Sequence, residues 1–221
     1  RPWLLADGAT GTNYFQMGLE SGDAPEMWNL EHPERVRDLH RRFIAAGADI
    51  ILTNTFGGNR HRLKLHNAQD RVAEINVAAV KNARAEADAA GRAVYVGGSI
   101  GPTGEILEPV GTLSHDDAVA AFAEQAMALK AGGADVLWIE TMSSEEELTA
   151  AVEGAAKASL PIVTTMSFDT NGRTMMGITP KAFGAITAAL PTQPVAIGAN
   201  CGVGASELVA TVLGISAARP D

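Results

Sequence analysis

Six short apolar runs punctuate the chain: Trp3 to Ala6, Asp49 to Leu52, Ala93 to Gly98, Val136 to Ile139, Ile162 to Met166 and Val195 to Ala199. Each is nearly continuous and rich in Val, Ile and Leu, as in parallel strands covered on both faces; a half-solvated sheet would alternate apolar with polar. Between the runs lie helices of roughly 11 to 20 residues with a 3.6-residue apolar spacing. Val36, Leu39, Phe43 and Ala46 form one such stripe, and Val119, Phe122, Ala126 and Leu129 form another. Ser114-His115-Asp116-Asp117 and Ser144-Glu145-Glu146-Glu147 read as capping boxes at helix starts, and Gly47, Gly91 and Gly132-Gly133 sit where helices should stop. Six strand-helix alternations predict an α/β fold with a parallel sheet.

A doubly wound open sheet and a barrel both satisfy that pattern. After the first run comes Asp7-Gly8-Ala9-Thr10-Gly11-Thr12, which lacks the G-x-G-x-x-G order of a dinucleotide site, and Pro25 and Pro33 are expected to hold the following stretch in loops. The barrel is favoured by where the reactive residues fall. Nearly every run ends in polar groups at its carboxyl end: Asp7, Thr53-Asn54-Thr55, Ser99, Glu140, Ser167 and Asn200-Cys201. A ring of such groups on one face is how a (βα)8 TIM-type barrel builds its active site. A barrel has eight units and about 250 residues, whereas this chain has 221 residues and six units. The expectation is a single barrel domain over residues 1–221, C-terminally incomplete, from a truncated or incompletely ordered version of a longer parent.

Composition narrows the partners. One cysteine, 23 unpatterned glycines and 46% hydrophobic residues exclude disulfide-scaffold, collagen-like and disordered classes. A formal net charge of −9 disfavours nucleic acid and anionic membrane surfaces, so a small molecule is the expected partner. No apolar run reaches membrane-spanning length and the N-terminus does not read as a signal peptide, which points to a soluble, cytoplasmic protein.

Asp7 and Glu140 are carboxylates closing apolar runs on the same expected face, suited to holding an ammonium group or to acid/base work. Cys201 is either a small buried hydrophobe or, just ahead of a helix N-terminus, an activated thiolate. One thiolate makes no tight metal site alone, and His32, His40, His61, His66 and His115 have no metal-binding spacing and are expected to be solvated. Gly57-Gly58 and the run from Gly97 to Gly104 would let backbone amides approach a ligand, or serve turn geometry alone. Arg60-His61-Arg62-Leu63-Lys64 reads as a solvated face. Tyr14, Phe15, Trp28 and Phe56 lie in or beside the first top loops, where aromatics pack into a core or cage an onium cation.

Taken in order, Leu5 to Thr12, Thr53-Asn54-Thr55-Phe56, Gly98 to Pro102, Trp138-Ile139-Glu140-Thr141, Met166-Ser167-Phe168 and Gly198 to Gly202 resemble the motifs of the zinc-dependent homocysteine S-methyltransferase family along the whole chain. Within it, Ser21 to Asn29 and Gly172 to Gly177 are similar to stretches of bacterial enzymes described as betaine-homocysteine methyltransferases. The resemblance implies a (βα)8 barrel binding Zn²⁺ through three cysteines. Cys201 matches the first, and the other two, in a Gly-Gly-Cys-Cys-Gly motif, are expected beyond Asp221. It further implies that Asp7 and Glu140 hold the homocysteine amino group and that the backbone near Gly8 receives its carboxylate. The expected reaction is methyl transfer from a betaine-type donor to zinc-activated homocysteine, giving methionine. Methylfolate with cobalamin and sulfonium donors stay open, as do a metal-free lyase or isomerase using Asp7 and Glu140, an inactive remnant, and association into a homo-oligomer.

Overall fold

The computed structural model describes residues 3–219. Five parallel strands, β1 (Ile50–Leu52), β2 (Tyr95–Ile100), β3 (Val136–Met142), β4 (Ile162–Met166) and β5 (Ala196–Ala199), lie side by side in sequence order. The first apolar run joins them as a sixth, short member. Ala6 bridges Ile50 in parallel, the Leu5 carbonyl accepts from Asp49 and Ile50 N–H, and Asp7 N–H donates to the Ile50 carbonyl. A doubly wound sheet reverses its strand order at a switch point; this one never reverses, so it winds one way as a barrel wall does.

The helices are α1 (Gly11–Gln16), α2 (Trp28–Glu31), α3 (Pro33–Ala45), α4 (Arg60–Lys64), α5 (Val72–Asp88), α6 (His115–Gly132), α7 (Glu145–Ala156), α8 (Pro180–Ala189) and α9 (Ala205–Ala218). Burial separates the two sheet faces. Ile51, Leu137 and Ile139 are fully buried beneath the helices, with Phe122, Leu129 and Leu148. On the opposite, concave face Ile50, Leu52, Val136 and Trp138 are only half-buried. Two of the glycines expected to free backbone amides instead admit this packing: a Cβ on Gly97 would lie 2.6 Å from Leu52 Cδ2, and one on Gly98 would lie 2.9 Å from Leu129 Cδ1.

Local signals held where they depended on neighbouring residues. Ser114 Oγ accepts Asp117 N–H and Ser144 Oγ accepts Glu147 N–H, the N-cap half of each expected box. The reciprocal half fails at Ser144, because Glu147 turns away and takes both the N–H and the hydroxyl of Thr103, at 2.7 and 2.6 Å. Gly133 caps α6 in the left-handed region at φ 99°. Pro33 departs from expectation: it opens α3 at its first turn, where a missing N–H costs nothing. His40 also departs. It is 2% exposed between α3 and the rest of the fold, with Nε2 unpartnered.

Candidate active site at the carboxyl ends of the strands

The strand-end residues converge as the barrel reading requires. Asp7 is half-buried and its Oδ2 accepts the Leu52 N–H at 2.8 Å, so the end of β1 fixes the carboxylate. Burial pushes its pKa up to about 7; the Leu52 hydrogen bond works against that, and repulsion from Glu140 adds to it. Glu140 shares this environment. Burial raises its pKa, opposed by the Ser99 hydroxyl, which donates to Oε1 at 2.5 Å. Two carboxylates that burial disfavours as anions, with repulsion from Glu140 adding to it at Asp7, form a site that gains from a cation.

Glu140 owes its direction to an irregularity that periodicity does not show. The β3–β4 register is regular to Ile139, then shifts before Met142, and Thr141 takes φ 64°. A bulge of this kind re-aims a side chain beside an active site. Asn200 holds it: its Oδ1 accepts Thr141 N–H at 3.0 Å and the Thr165 hydroxyl at 2.6 Å, while Nδ2 donates to Thr141 Oγ1 at 2.7 Å. The same Nδ2 lies 3.4 Å from Cys201 Sγ. One side chain thus ties the residue after Glu140 to the thiol.

Cys201 is exposed, at φ 56°, in the turn between β5 and α9. The small-hydrophobe reading therefore fails. As a soft thiolate donor it suits zinc, but among the described residues no group of three or more His, Cys, Asp or Glu converges to complete a site. Gly8 is exposed beside Asp7 with Phe43 beneath it, so its backbone is open to a ligand.

Other expected features resolve into structure. Thr53, Asn54 and Thr55 are buried, and Asn54 Nδ2 donates to the Pro25 carbonyl. Gly57 and Gly58 make room for side chains: a Cβ would come within 2.8 Å of Glu26 Oε1 at the first and 2.7 Å of Asn76 Oδ1 at the second. Arg60 pairs with Glu124 at 2.8 Å and Leu63 is buried, so the basic run is the solvated face of α4 with one apolar anchor. Tyr14 and Trp28 are buried against each other at 5.3 Å, whereas Phe15 and Phe56 are exposed. Glu26, which the sequence reading passed over, is a buried carboxylate receiving Gly57 N–H at 2.7 Å.

Beside the strand ends Thr141 and Ser167 runs a groove of about 370 Å³. The loop after β2 lines it with Ile106, Pro109 and Val110, and the loop after β4 lines it with Met175 and Met176. Its charged lining residues, Glu105, Glu108, Glu146, Glu147 and Asp169, are all acidic.

Comparison with known proteins agrees with this geometry. The family model described as homocysteine S-methyltransferase matches residues 4–220. The methionine synthases of Mycobacterium tuberculosis and Mycobacterium leprae are 32% and 31% identical over 93% of the chain, which spans only 18% of the length of each. Among solved structures, the metallated form of the Escherichia coli homocysteine methyltransferase MmuM superposes with a TM-score of 0.80 at 25% identity, covering 96% of this chain and 78% of that one. Its oxidized form gives 0.74 at 26% identity, covering 90% of this chain and 73% of that one. With six consecutive strand-helix units laid out as in that barrel and a family match along nearly its whole length, the chain belongs to the homocysteine S-methyltransferase family.

Proposed function

We propose that this chain is the homocysteine-binding barrel of an enzyme that methylates homocysteine to methionine, drawing the methyl group from a betaine-type onium donor. The observation that carries the reading is the Asp7 and Glu140 pair, two burial-strained carboxylates at the carboxyl ends of the first run and of β3, close enough for the charge on Glu140 to raise the Asp7 pKa, on the face that also bears Cys201. A substrate ammonium relieves the strain on both acids at once, which fixes the amino acid by charge and by direction. The open backbone at Gly8 is placed to receive the carboxylate of the same molecule. Family membership supports the substrate.

Cys201 is proposed as one thiolate ligand of Zn²⁺, in keeping with the metallated form of the E. coli relative. Bound zinc would hold a thiol ionised at neutral pH. The described residues supply one such ligand, so the chain's own contribution is binding and alignment. In the transfer, the homocysteine sulfur forms a bond to the methyl carbon as the carbon–nitrogen bond breaks, and the nitrogen keeps that electron pair and leaves as a neutral amine. Such a displacement needs sulfur, carbon and nitrogen in line, so holding two substrates at a fixed angle is most of what a protein can add.

The groove beside Thr141 and Ser167 supports an onium donor. Its apolar side chains suit methyl groups, its acidic rim favours positive charge, and its size falls in the range of small-molecule sites. A methylfolate, favoured by the likeness to methionine synthases, would bring carboxylates to that rim with no fixed positive charge to offset them, whereas the quaternary nitrogen of betaine offsets its own carboxylate. The test is a donor panel on the longer zinc-supplemented protein expected to carry the remaining ligands: glycine betaine, a sulfonium donor and methylfolate, each with homocysteine, followed by methionine formation. Turnover with betaine is expected; turnover with methylfolate alone would replace the donor assignment. In the longer protein expected to carry the other two cysteines, Cys201→Ser is expected to lower bound zinc severely, measured by metal analysis, and undiminished stoichiometric zinc would remove Cys201 from the ligand set.

A further inference from the structure

Behind Glu140 lies a buried chain of hydroxyls whose hydrogens can be assigned one by one. Ser99 on β2 is 2% exposed, Thr53 is 3% exposed, and Thr55 and Gln125 are fully buried. The Ser99 carbonyl accepts the Thr55 hydroxyl at 2.7 Å and lies 3.4 Å from Gln125 Nε2, which also donates to the Thr55 carbonyl at 2.8 Å. A carbonyl carries no hydrogen, so the single hydroxyl hydrogen of Thr55 is committed there. In the 2.6 Å contact between Thr53 Oγ1 and Thr55 Oγ1, Thr53 must then be the donor. The Thr53 oxygen in turn accepts the Ser99 N–H at 3.0 Å. Both backbone groups of Ser99 are thereby fixed, and its hydroxyl points at Glu140 Oε1, 2.5 Å away.

We propose that Ser99 is a positioning residue: the Gln125–Thr55–Thr53 relay fixes its backbone so that its hydroxyl stays on Glu140, which holds that carboxylate charged and aimed to receive the substrate ammonium. The ligand in this statement rests on the function proposed above; the relay does not. The Ser99 hydroxyl bonds the anionic carboxylate more strongly than it would the neutral acid, which opposes protonation of Glu140. The Ser99 hydroxyl therefore resists what burial promotes.

The alternative is that the relay only ties β1 to β2, and Ser99→Ala separates the two. The bonds from Thr53, Thr55 and Gln125 all end on the backbone of Ser99, so the substitution removes the hydroxyl and leaves the tie intact. The carboxyl titration of Glu140 is followed by carbon NMR on protein labelled at glutamate carboxyls, assigned with Glu140→Gln. The midpoint is expected to move to higher pH in Ser99→Ala, with Asp7 present in both proteins; an unmoved midpoint overturns the proposal. Calorimetric titration with homocysteine and with 4-mercaptobutyrate, which lacks the amino group, reads the aim. Homocysteine should bind roughly tenfold more weakly to Ser99→Ala, the loss of one charge-assisted hydrogen bond, while 4-mercaptobutyrate is unaffected. Equal weakening of both ligands would also overturn it. If the unsubstituted protein binds neither thiol, the proposed function fails, and the carboxyl titration still decides the role of Ser99.

Discussion

Asp7 carries the sharpest pH prediction at the scale of single residues. Its folded pKa of about 7 lies above the ordinary 3.8, so the folded chain binds its proton more tightly than the unfolded chain does. Its contribution to stability is greatest below pH 3.8 and is lost as pH rises through about 7. Ammonium binding has the opposite slope because it requires the anion, so homocysteine affinity is expected to climb through pH 7. In Asp7→Asn the affinity should be weaker and that segment of the pH profile flat; calorimetry between pH 5.5 and 8.5 checks both, and a profile of unchanged shape would remove Asp7 from the amine site. Asp7, Glu140 and Cys201 could be picked out in the sequence because each interrupts an otherwise apolar run, and nothing but local contrast was needed. Asn200 stands out by the same contrast, but its role with Thr141 does not, since their hydrogen bond joins residues 59 apart and depends on a register shift between β3 and β4. Gly57 and Gly58 stood out for the wrong reason: close approach was correctly expected, but what approaches is buried polar side chains.

Helix ends and helix faces were legible for the same local reason, and α3 shows where that stops. Its Val36 and Leu39 are buried as the spacing predicts, yet the stripe's last member, Ala46, is exposed, and His40, one position beyond Leu39, is buried. The difference lies in α5. Glu86 there is 7% exposed, with Arg37 at 2.7 Å and Arg41 at 3.0 Å. Burial alone would raise the pKa of Glu86, but hydrogen bonds from the two arginines hold it below the ordinary carboxylate range. His40 lies within the electrostatic reach of the same Glu86, and no pattern within α3 records that packing against α5. Burial depresses the His40 pKa to about 4, against a partial opposing effect of Glu86. A histidine buried neutral contributes its full stability above the unfolded value of 6.5 and loses it as pH falls toward 4. The shift corresponds to about 3 kcal/mol. Urea unfolding at pH 7 and pH 4.5 should therefore show a smaller acid loss in His40→Leu than in the parent, and equal losses would mean that His40 is not the acid-sensitive group of this helix pair.

For the whole molecule, the unreversed strand order and the strand-end chemistry were both readable because a βα unit repeats, and a repeat can be counted. Uneven stability around the wall could not be counted, because it depends on what each unit has beside it. Eight residues of α6 are buried, between α5 on one side and α7 on the other, whereas α9 buries Thr211 and Ile215 and leaves Val209, Val212 and Leu213 exposed. The strand below it, β5, pairs with β4 alone among the described strands and is fully buried at none of its positions. Free energies of local opening follow buried apolar contact, so the wall should loosen toward this end. Native-state amide exchange is expected to be slowest in β2, β3 and α6 and fastest in α9, with β5 exchanging well before β3. Because Cys201 lies in the turn joining β5 to α9, a ligand that engages its thiolate should slow exchange in both elements, and zinc is the probe to use. Protection of β5 and α9 rising with added zinc in the parent but not in Cys201→Ser would place the metal at this end of the wall; uniform exchange across all five strands, indifferent to zinc, would show that neither the loose end nor its coupling to the thiol exists.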